Sequence, residues 1–257
     1  MLVQSRTIAE QIQIVHGPGD LLARYFFEAD QRARAIGVTL RLRHDFERLV
    51  AVNQRQRETW PELTPVFKPQ YNRLGRDNAF WIEGVDEFGE TVVTNAARLY
   101  DLGDRTLAEE LTSLRIFFDD PAPHIEAGDS VDVTAPSPFR ITGRVVYAGG
   151  LWVRPDYRRH GFAKIMPRLT RSCALTRWNP PRFWTMVELD LDEVGMTRAY
   201  GYLGGEERIA THLTAWRGDL DYLFLSMGQD RLIANLVSML PQTDVGASRS
   251  MEMPMTN

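Results

Sequence analysis

Between Val145 and Leu203 the apolar residues change period three times, and this limits the folds open to the chain more than any other feature. Val145–Val153 reads as a strand, Gly161–Arg177 carries helical spacing, Phe183–Leu191 returns to a strand, and Val194–Leu203 reads as a short helix. A strand, helix, strand, helix succession implies two parallel strands joined by a crossover, and hence an α/β sheet with helices packed on it.

The flanking sequence fits around that unit. Leu22, Tyr25, Phe26, Ala29, Ala33 and Ile36 recur at helical spacing, with Asp20 as the expected N-cap and Gly37 as the stop. Val38, Leu40 and Leu42 then alternate with polar residues as in a strand, and Asp45 opens a second helix carrying Phe46, Leu49, Val50 and Val52. Pro61, Pro65 and Pro69 predict a loop from Trp60 to Gly75. Asp86-Glu87-Phe88-Gly89 is the expected turn of a hairpin between Phe80–Gly84 and Thr91–Tyr100. Asp104 is the expected cap of a helix reaching Leu114, and Phe118–Phe139 predicts an irregular insertion that covers a site or runs over the surface. Ile209–Ala215 and Tyr222–Met227 read as a closing hairpin around Trp216-Arg217-Gly218-Asp219, and beyond Pro241 the polar, Met-dotted chain reads as a disordered tail. The domain division is then a helical extension over 1–37, a main domain over 38–235 with an insertion at about 101–141, and a tail over 241–257.

Composition excludes several classes. With 257 residues, 44% hydrophobic, the chain can bury a substantial core, and its net charge of -4 argues against a protein built to coat nucleic acid. The arginines Arg41, Arg43, Arg48, Arg55 and Arg57 read as a solvated face. Cys173 is the only cysteine, which excludes an internal disulfide and a cysteine zinc cluster, and it reads as a small apolar helix residue. His16, His44, His124 and His212 show no metal-ligand spacing, so no metal is expected. Met1–Gln13 lacks the apolar core of a signal peptide, and no apolar run approaches the roughly 20 residues that cross a bilayer. A soluble cytoplasmic protein without a membrane partner is the expectation.

The segment that carries chemistry is Leu151-Trp152-Val153-Arg154-Pro155-Asp156-Tyr157-Arg158-Arg159-His160-Gly161-Phe162-Ala163-Lys164, which runs from a strand end into a helix start. The first turn of a helix presents amides without intrahelical partners at the positive end of the dipole, so a phosphate placed there is hydrogen-bonded and electrostatically favoured. Gly161 and Ala163 allow close approach to the backbone, while Arg158, Arg159, His160 and Lys164 add positive charge. No Gly-Lys-Ser/Thr, Gly-x-Gly-x-x-Gly or Gly-x-Ser-x-Gly occurs, which disfavours nucleoside triphosphates, NAD and hydrolase triad chemistry.

Arg158-x-x-Gly161-x-Ala163, with its Val153-x-Pro155-x-Tyr157-Arg158 approach, resembles the Arg/Gln-x-x-Gly-x-Gly/Ala run of the GNAT N-acetyltransferase superfamily. The resemblance implies an α/β (α+β) GNAT fold, a central mixed twisted sheet with a splayed parallel strand pair, flanked by helices. It implies acetyl-CoA or another acyl-CoA as co-substrate. The amides from Arg159 through Lys164, Phe162 included, would hold the pyrophosphate, and the backbone at Leu151, Trp152 and Val153 would pair with the pantetheine arm. Gly149-Gly150 would mark the bulge that splays the strands. Tyr200-Gly201-Tyr202-Leu203-Gly204 resembles the family's Tyr-x-x-x-Gly-Phe run, with Gly205 where Phe is usual. Glu193 stands where many members carry an Asn that contacts pantetheine.

Acyl transfer to an amine requires a proton for the departing thiolate and a base for the amine. The resemblance gives Tyr200 as the acid, with Tyr202 as the nearby alternate, and strand alternation gives Glu188 as the base, sharing a face with Trp184, Met186 and Asp190. The expected activity is acetyl transfer to a primary amine of a small molecule, amino acid or peptide. The alternatives are a noncatalytic acyl-CoA-binding module, or an acyltransferase using longer acyl-CoA or acyl-carrier-protein donors. A homodimer is left open.

Overall fold

The computed structural model describes residues 7–202, 207–213 and 218–241. Helices α1 (Ile8–Gln11) and α2 (Gly19–Arg34) precede strand β1 (Thr39–Arg43) and helix α3 (Phe46–Arg55). Strands β2 (Ala79–Val85) and β3 (Thr91–Asp101) are followed by α4 (Leu107–Thr112), α5 (Ala122–Glu126) and β4 (Ser130–Asp132). Then come β5 (Arg144–Val153), α6 (Phe162–Trp178), β6 (Arg182–Glu188), α7 (Leu189–Glu193), α8 (Met196–Tyr200), β7 (Glu207–Leu213), β8 (Gly218–Gly228) and α9 (Gln229–Met239).

The strands form one eight-stranded sheet in the order β1-β2-β3-β5-β6-β8-β7-β4. Its single parallel pair is β5 with β6, and the other neighbours are antiparallel. Because β5 and β6 run the same way, α6 must run back between them. This is the mixed sheet with a parallel pair that the crossover pattern requires. One face is covered by α2, α6 and α9, with Phe26, Phe80, Val146, Met166, Leu169, Phe183 and Leu225 in the core beneath them. The other face is covered by α3, α4 and the 60–75 loop, over Phe46, Phe67, Trp81, Tyr147, Trp184 and Phe224. No described helix is long and apolar enough to cross a membrane.

Local chemistry accounts for the element ends. The Asp45 carboxylate accepts the Arg48 amide at 3.1 Å and starts α3. In the β2–β3 turn the Asp86 carboxylate accepts the amides of Phe88 and Glu90 at 3.1 and 2.9 Å, and Gly89 takes φ +83°. Two expected caps move. Helix α2 begins after Pro18, leaving Asp20 in the first turn, and α4 is capped by Thr106, whose hydroxyl accepts the Glu109 amide while the Glu109 carboxylate accepts the Thr106 amide. Thr106 outcompetes Asp104 because only it has a partner three residues on that completes the reciprocal pair.

Two larger expectations are corrected. Strand β6 ends at Glu188, not Leu191, and Leu189–Glu193 coils into α7, so Asp190 does not share the strand face of Glu188. The segment Phe118–Phe139 is not irregular throughout: it forms α5 and β4, which pairs with β7 at the sheet edge, and it buries Phe118 and Val131 in the second core. The closing hairpin is present as β7 paired with β8, while residues 214–217 of its turn, residues 203–206 and the tail from 242 lie outside the described residues.

Candidate active site

Strands β5 and β6 are paired over Val145–Arg182, Val146–Phe183 and Tyr147–Trp184 only. Beyond that point they part. On its other side β5 carries a bulge: its register against β3 shifts between Thr94 and Ala96, Gly150 takes φ +65°, and the Thr94 hydroxyl donates to the Gly150 carbonyl at 2.9 Å. The bulge falls where Gly149-Gly150 led us to expect it. The result is a cleft of about 770 Å³ between the strand ends, walled by the α6 N-terminus, by α7 and α8, and by residues 59–64.

At the mouth of the cleft, the chain between β5 and α6 forms a cradle of backbone amides. Arg154 clamps it through Asp156 at 2.8 Å and Asp86 at 3.1 Å, and Arg158 folds back to donate from Nε to the Val153 carbonyl at 3.2 Å. Arg159 at φ +67° and Gly161 at φ +84° are both left-handed. Among the described residues, the five consecutive amides from Arg159 to Ala163 make no hydrogen bond, so they converge on the α6 N-terminus as unsatisfied donors. The Lys164 amide is different: it donates to the Gly161 carbonyl at 2.9 Å, so Lys164 adds its side chain rather than its amide. Arg158, Arg159, His160 and Lys164 are exposed around this point. Leu151, Trp152 and Val153 form the β5 end of the cleft, and Phe162 anchors α6 in the core.

Deeper in, Tyr200 and Glu188 both line the cleft, from opposite faces of the sheet. Tyr200 packs against the core under α6, whereas Glu188 follows Trp184 and Met186 on the α3 face. Burial pushes the Tyr200 phenol well above its ordinary value, and the charge of Glu188 pushes it the same way. The phenol therefore keeps its proton, as a general acid must. Tyr202 is buried beneath Arg171, with the guanidinium 4.6 Å from its ring centroid.

Glu193, singled out from sequence, is exposed on α7 and does not line the cleft, while the exposed His160 contributes its backbone amide at the mouth. Burial pushes the Cys173 thiol up within α6, which fits its apolar reading. No cluster of metal-ligating residues occurs among the described residues.

Several lining residues were not singled out from sequence. Trp60 stacks on Trp152 at 5.4 Å with 10° between the rings, and the Trp152 indole donates to the Thr59 hydroxyl at 3.2 Å. Tyr147, Thr185, Tyr222 and Arg171 also face the cleft. The proline-rich loop gave a signal in its aromatics, since a surface excursion has little use for Trp60 and Phe67. Arg168 and Arg171 gave one too, as charges among the apolar positions Ile165, Met166, Leu169, Cys173 and Ala174 of α6.

No family model matches the chain, and no curated protein matches it. Among solved structures, it is similar to NAA60 of Arabidopsis thaliana in complex with a bisubstrate analogue, at 12% identity over 74% of this chain and 97% of that one, with a TM-score of 0.47. It is similar to the spermidine N-acetyltransferase of Vibrio cholerae in complex with CoA and spermine, at 12% identity over 77% and 99%, with a TM-score of 0.43. It is also similar to the ribosomal-protein-S5-alanine acetyltransferase of Vibrio fischeri, at 13% identity over 76% and 94%, with a TM-score of 0.42.

Proposed function

We propose that this chain is an acyl-CoA-dependent N-acyltransferase of the GNAT type that transfers a short acyl group from the thioester to a primary amine. The observation that carries the reading is the run of five unsatisfied amides at the α6 N-terminus, opening directly onto the gap between two parting parallel strands. A pyrophosphate fits the amides, a narrow amide-bearing arm fits the strand edge beside Leu151–Val153, and the gap lets a thioester pass toward the far face.

Within that arrangement the residues divide the work. The amine enters from the face of Glu188, which takes its proton as the nitrogen attacks the thioester carbon. The carbon–sulfur bond then breaks, and Tyr200 supplies the proton that the departing thiolate needs. The Arg158, Arg159 and Lys164 side chains draw the polyanionic donor to the mouth.

The test is thiol release with acetyl-CoA across a panel of small amines, amino acids and peptides. Amine-dependent release that falls steeply in Tyr200→Phe supports the enzyme. Saturable CoA binding without release from any amine would favour a noncatalytic binding module.

A further inference from the structure

Arg168 and Arg171 lie three residues apart on α6, where it meets α8, and are only 7% and 1% exposed. A guanidinium is seldom buried without a carboxylate, because desolvation of the charge is costly. Among the described residues neither forms an ion pair. Arg168 donates from Nη1 to the carbonyls of Lys164 at 2.8 Å and Ala199 at 2.7 Å and from Nη2 to the Asn235 amide oxygen at 3.3 Å, which ties α8 and α9 to α6, and among the described residues its Nε has no acceptor.

Arg171 has fewer acceptors than Arg168 and, unlike it, lines the cleft. Its Nη2 donates to the Tyr200 carbonyl, while among the described residues its buried Nε has no acceptor. The buried hydroxyl of Tyr202, whose ring lies under the guanidinium, interacts with Arg171 and, among the described residues, has no other partner, and Tyr202 lines the same wall. Two touching side chains thus bring a cationic donor without a carboxylate, and a hydroxyl beside it, to one wall of the cavity.

The position of that point identifies what it meets. Arg171 is nine residues along α6 from Phe162, about 14 Å from the phosphate cradle at 1.5 Å per residue. Helix α6 runs back toward the apex where Tyr147 meets Trp184, so Arg171 stands at the acyl end of a donor whose phosphates sit at the mouth. Thr185, the first β6 residue past that pair, shares the α6 face with Phe183 and Val187 and also lines the cleft. The amine is brought in from the opposite face.

We propose that Arg171 and Tyr202 bind a carboxylate at the far end of a short acyl chain, so that the preferred donor is a dicarboxylic acyl thioester rather than acetyl-CoA. This rests on the acyl-CoA reading of the cleft. The chemistry at the thioester is unchanged: the carbon–nitrogen bond forms, the carbon–sulfur bond breaks, the amine proton goes to Glu188 and the Tyr200 proton goes to sulfur. The distal carboxylate stays ionised on Arg171 throughout, and nothing is oxidised or reduced.

Calorimetric titration of the full chain with succinyl-CoA and with butyryl-CoA, a donor of equal chain length without the charge, tests the proposal. Succinyl-CoA is expected to bind at least about tenfold more tightly, as a charge-assisted hydrogen bond in a buried setting provides. In Arg171→Gln the preference for succinyl-CoA over butyryl-CoA should fall to within about twofold. Should that variant fail to fold, the ratio in the unmodified chain decides alone. Equal binding of the two donors there overturns the carboxylate site and leaves the acyl-CoA reading standing, whereas absence of binding by any CoA species overturns both.

Discussion

Tyr147 and Trp184 are the last residues across which β5 and β6 stand in register, and their rings meet there at 4.7 Å with 51° between the planes. Phe67 stacks beyond Tyr147 at 5.6 Å and Phe224 beyond Trp184 at 5.9 Å, so an aromatic row closes the sheet at the apex of the cleft. Above it the strand edges are free to accept a ligand. Trp184 is fully buried, and its replacement by Ala is expected to cost about 3–5 kcal/mol. Urea unfolding measures this, and a loss below about 1 kcal/mol would contradict the view that this pair sets the apex.

The cradle at the α6 N-terminus depends on two left-handed residues with opposite expectations. Gly161→Ala places a Cβ at φ +84° and should lower stability by about 1–2 kcal/mol while weakening CoA binding. Arg159→Gly relieves the same kind of strain at φ +67° but removes a charge, so the fold should be no less stable while CoA binding weakens. Thermal unfolding with and without CoA separates the two, and a destabilised Arg159→Gly would contradict the account.

Glu83 is fully buried in β2 yet ionised. Burial alone would raise its pKa, but bonds from the Thr91 hydroxyl at 2.7 Å and from Arg48 at 2.7 and 2.9 Å, with the nearby charge of Arg43, outweigh it and hold the carboxyl below its ordinary value. A depressed folded-state pKa means stability that is complete above the unfolded-state value, near 4.3, and is lost as pH falls through the folded-state value. Glu83→Gln should cost about 3–5 kcal/mol at neutral pH by leaving two arginines uncompensated, and it should flatten the stability–pH curve below pH 4. An unchanged curve in the variant contradicts this.

Tyr200 carries a raised phenol pKa through burial and the charge of Glu188. Its acid form therefore persists above pH 10, and kcat should show no decline from phenol ionisation between pH 8 and 10. Tyr200→Phe should lower kcat by about 10²–10⁴ at unchanged donor KM. A decline with an apparent pKa below 10 that disappears in Tyr200→Phe would show the wrong ionisation state.

Much of this was legible in the sequence, and the reasons for the rest are physical. Periodicity located β5, α6 and β6 and hence the parallel pair, because each is long enough for its spacing to repeat. The bulge at Gly149-Gly150 and the turn into α6 at Arg158–Ala163 came from residue types suited to backbone that turns left-handed. What sequence misplaced was short: β6 stops at Glu188 because Leu189–Glu193 coils into α7, a choice between strand and helix that five residues do not reveal. Glu193 followed a motif position rather than a physical constraint, and it faces solvent. Arg171 and Tyr202 were the hardest to read, since their burial against each other comes from the chain folding back on α6, a contact between residues about thirty positions apart.

The central claim is that this cleft binds an acyl-CoA, and ligand-dependent thermal unfolding tests it most directly. At a CoA concentration a hundredfold above Kd, linkage predicts about 2.7 kcal/mol of added stability, or roughly 5–10 °C for a chain of this size, saturating as ligand rises. No shift at millimolar acetyl-CoA, succinyl-CoA or free CoA contradicts the claim.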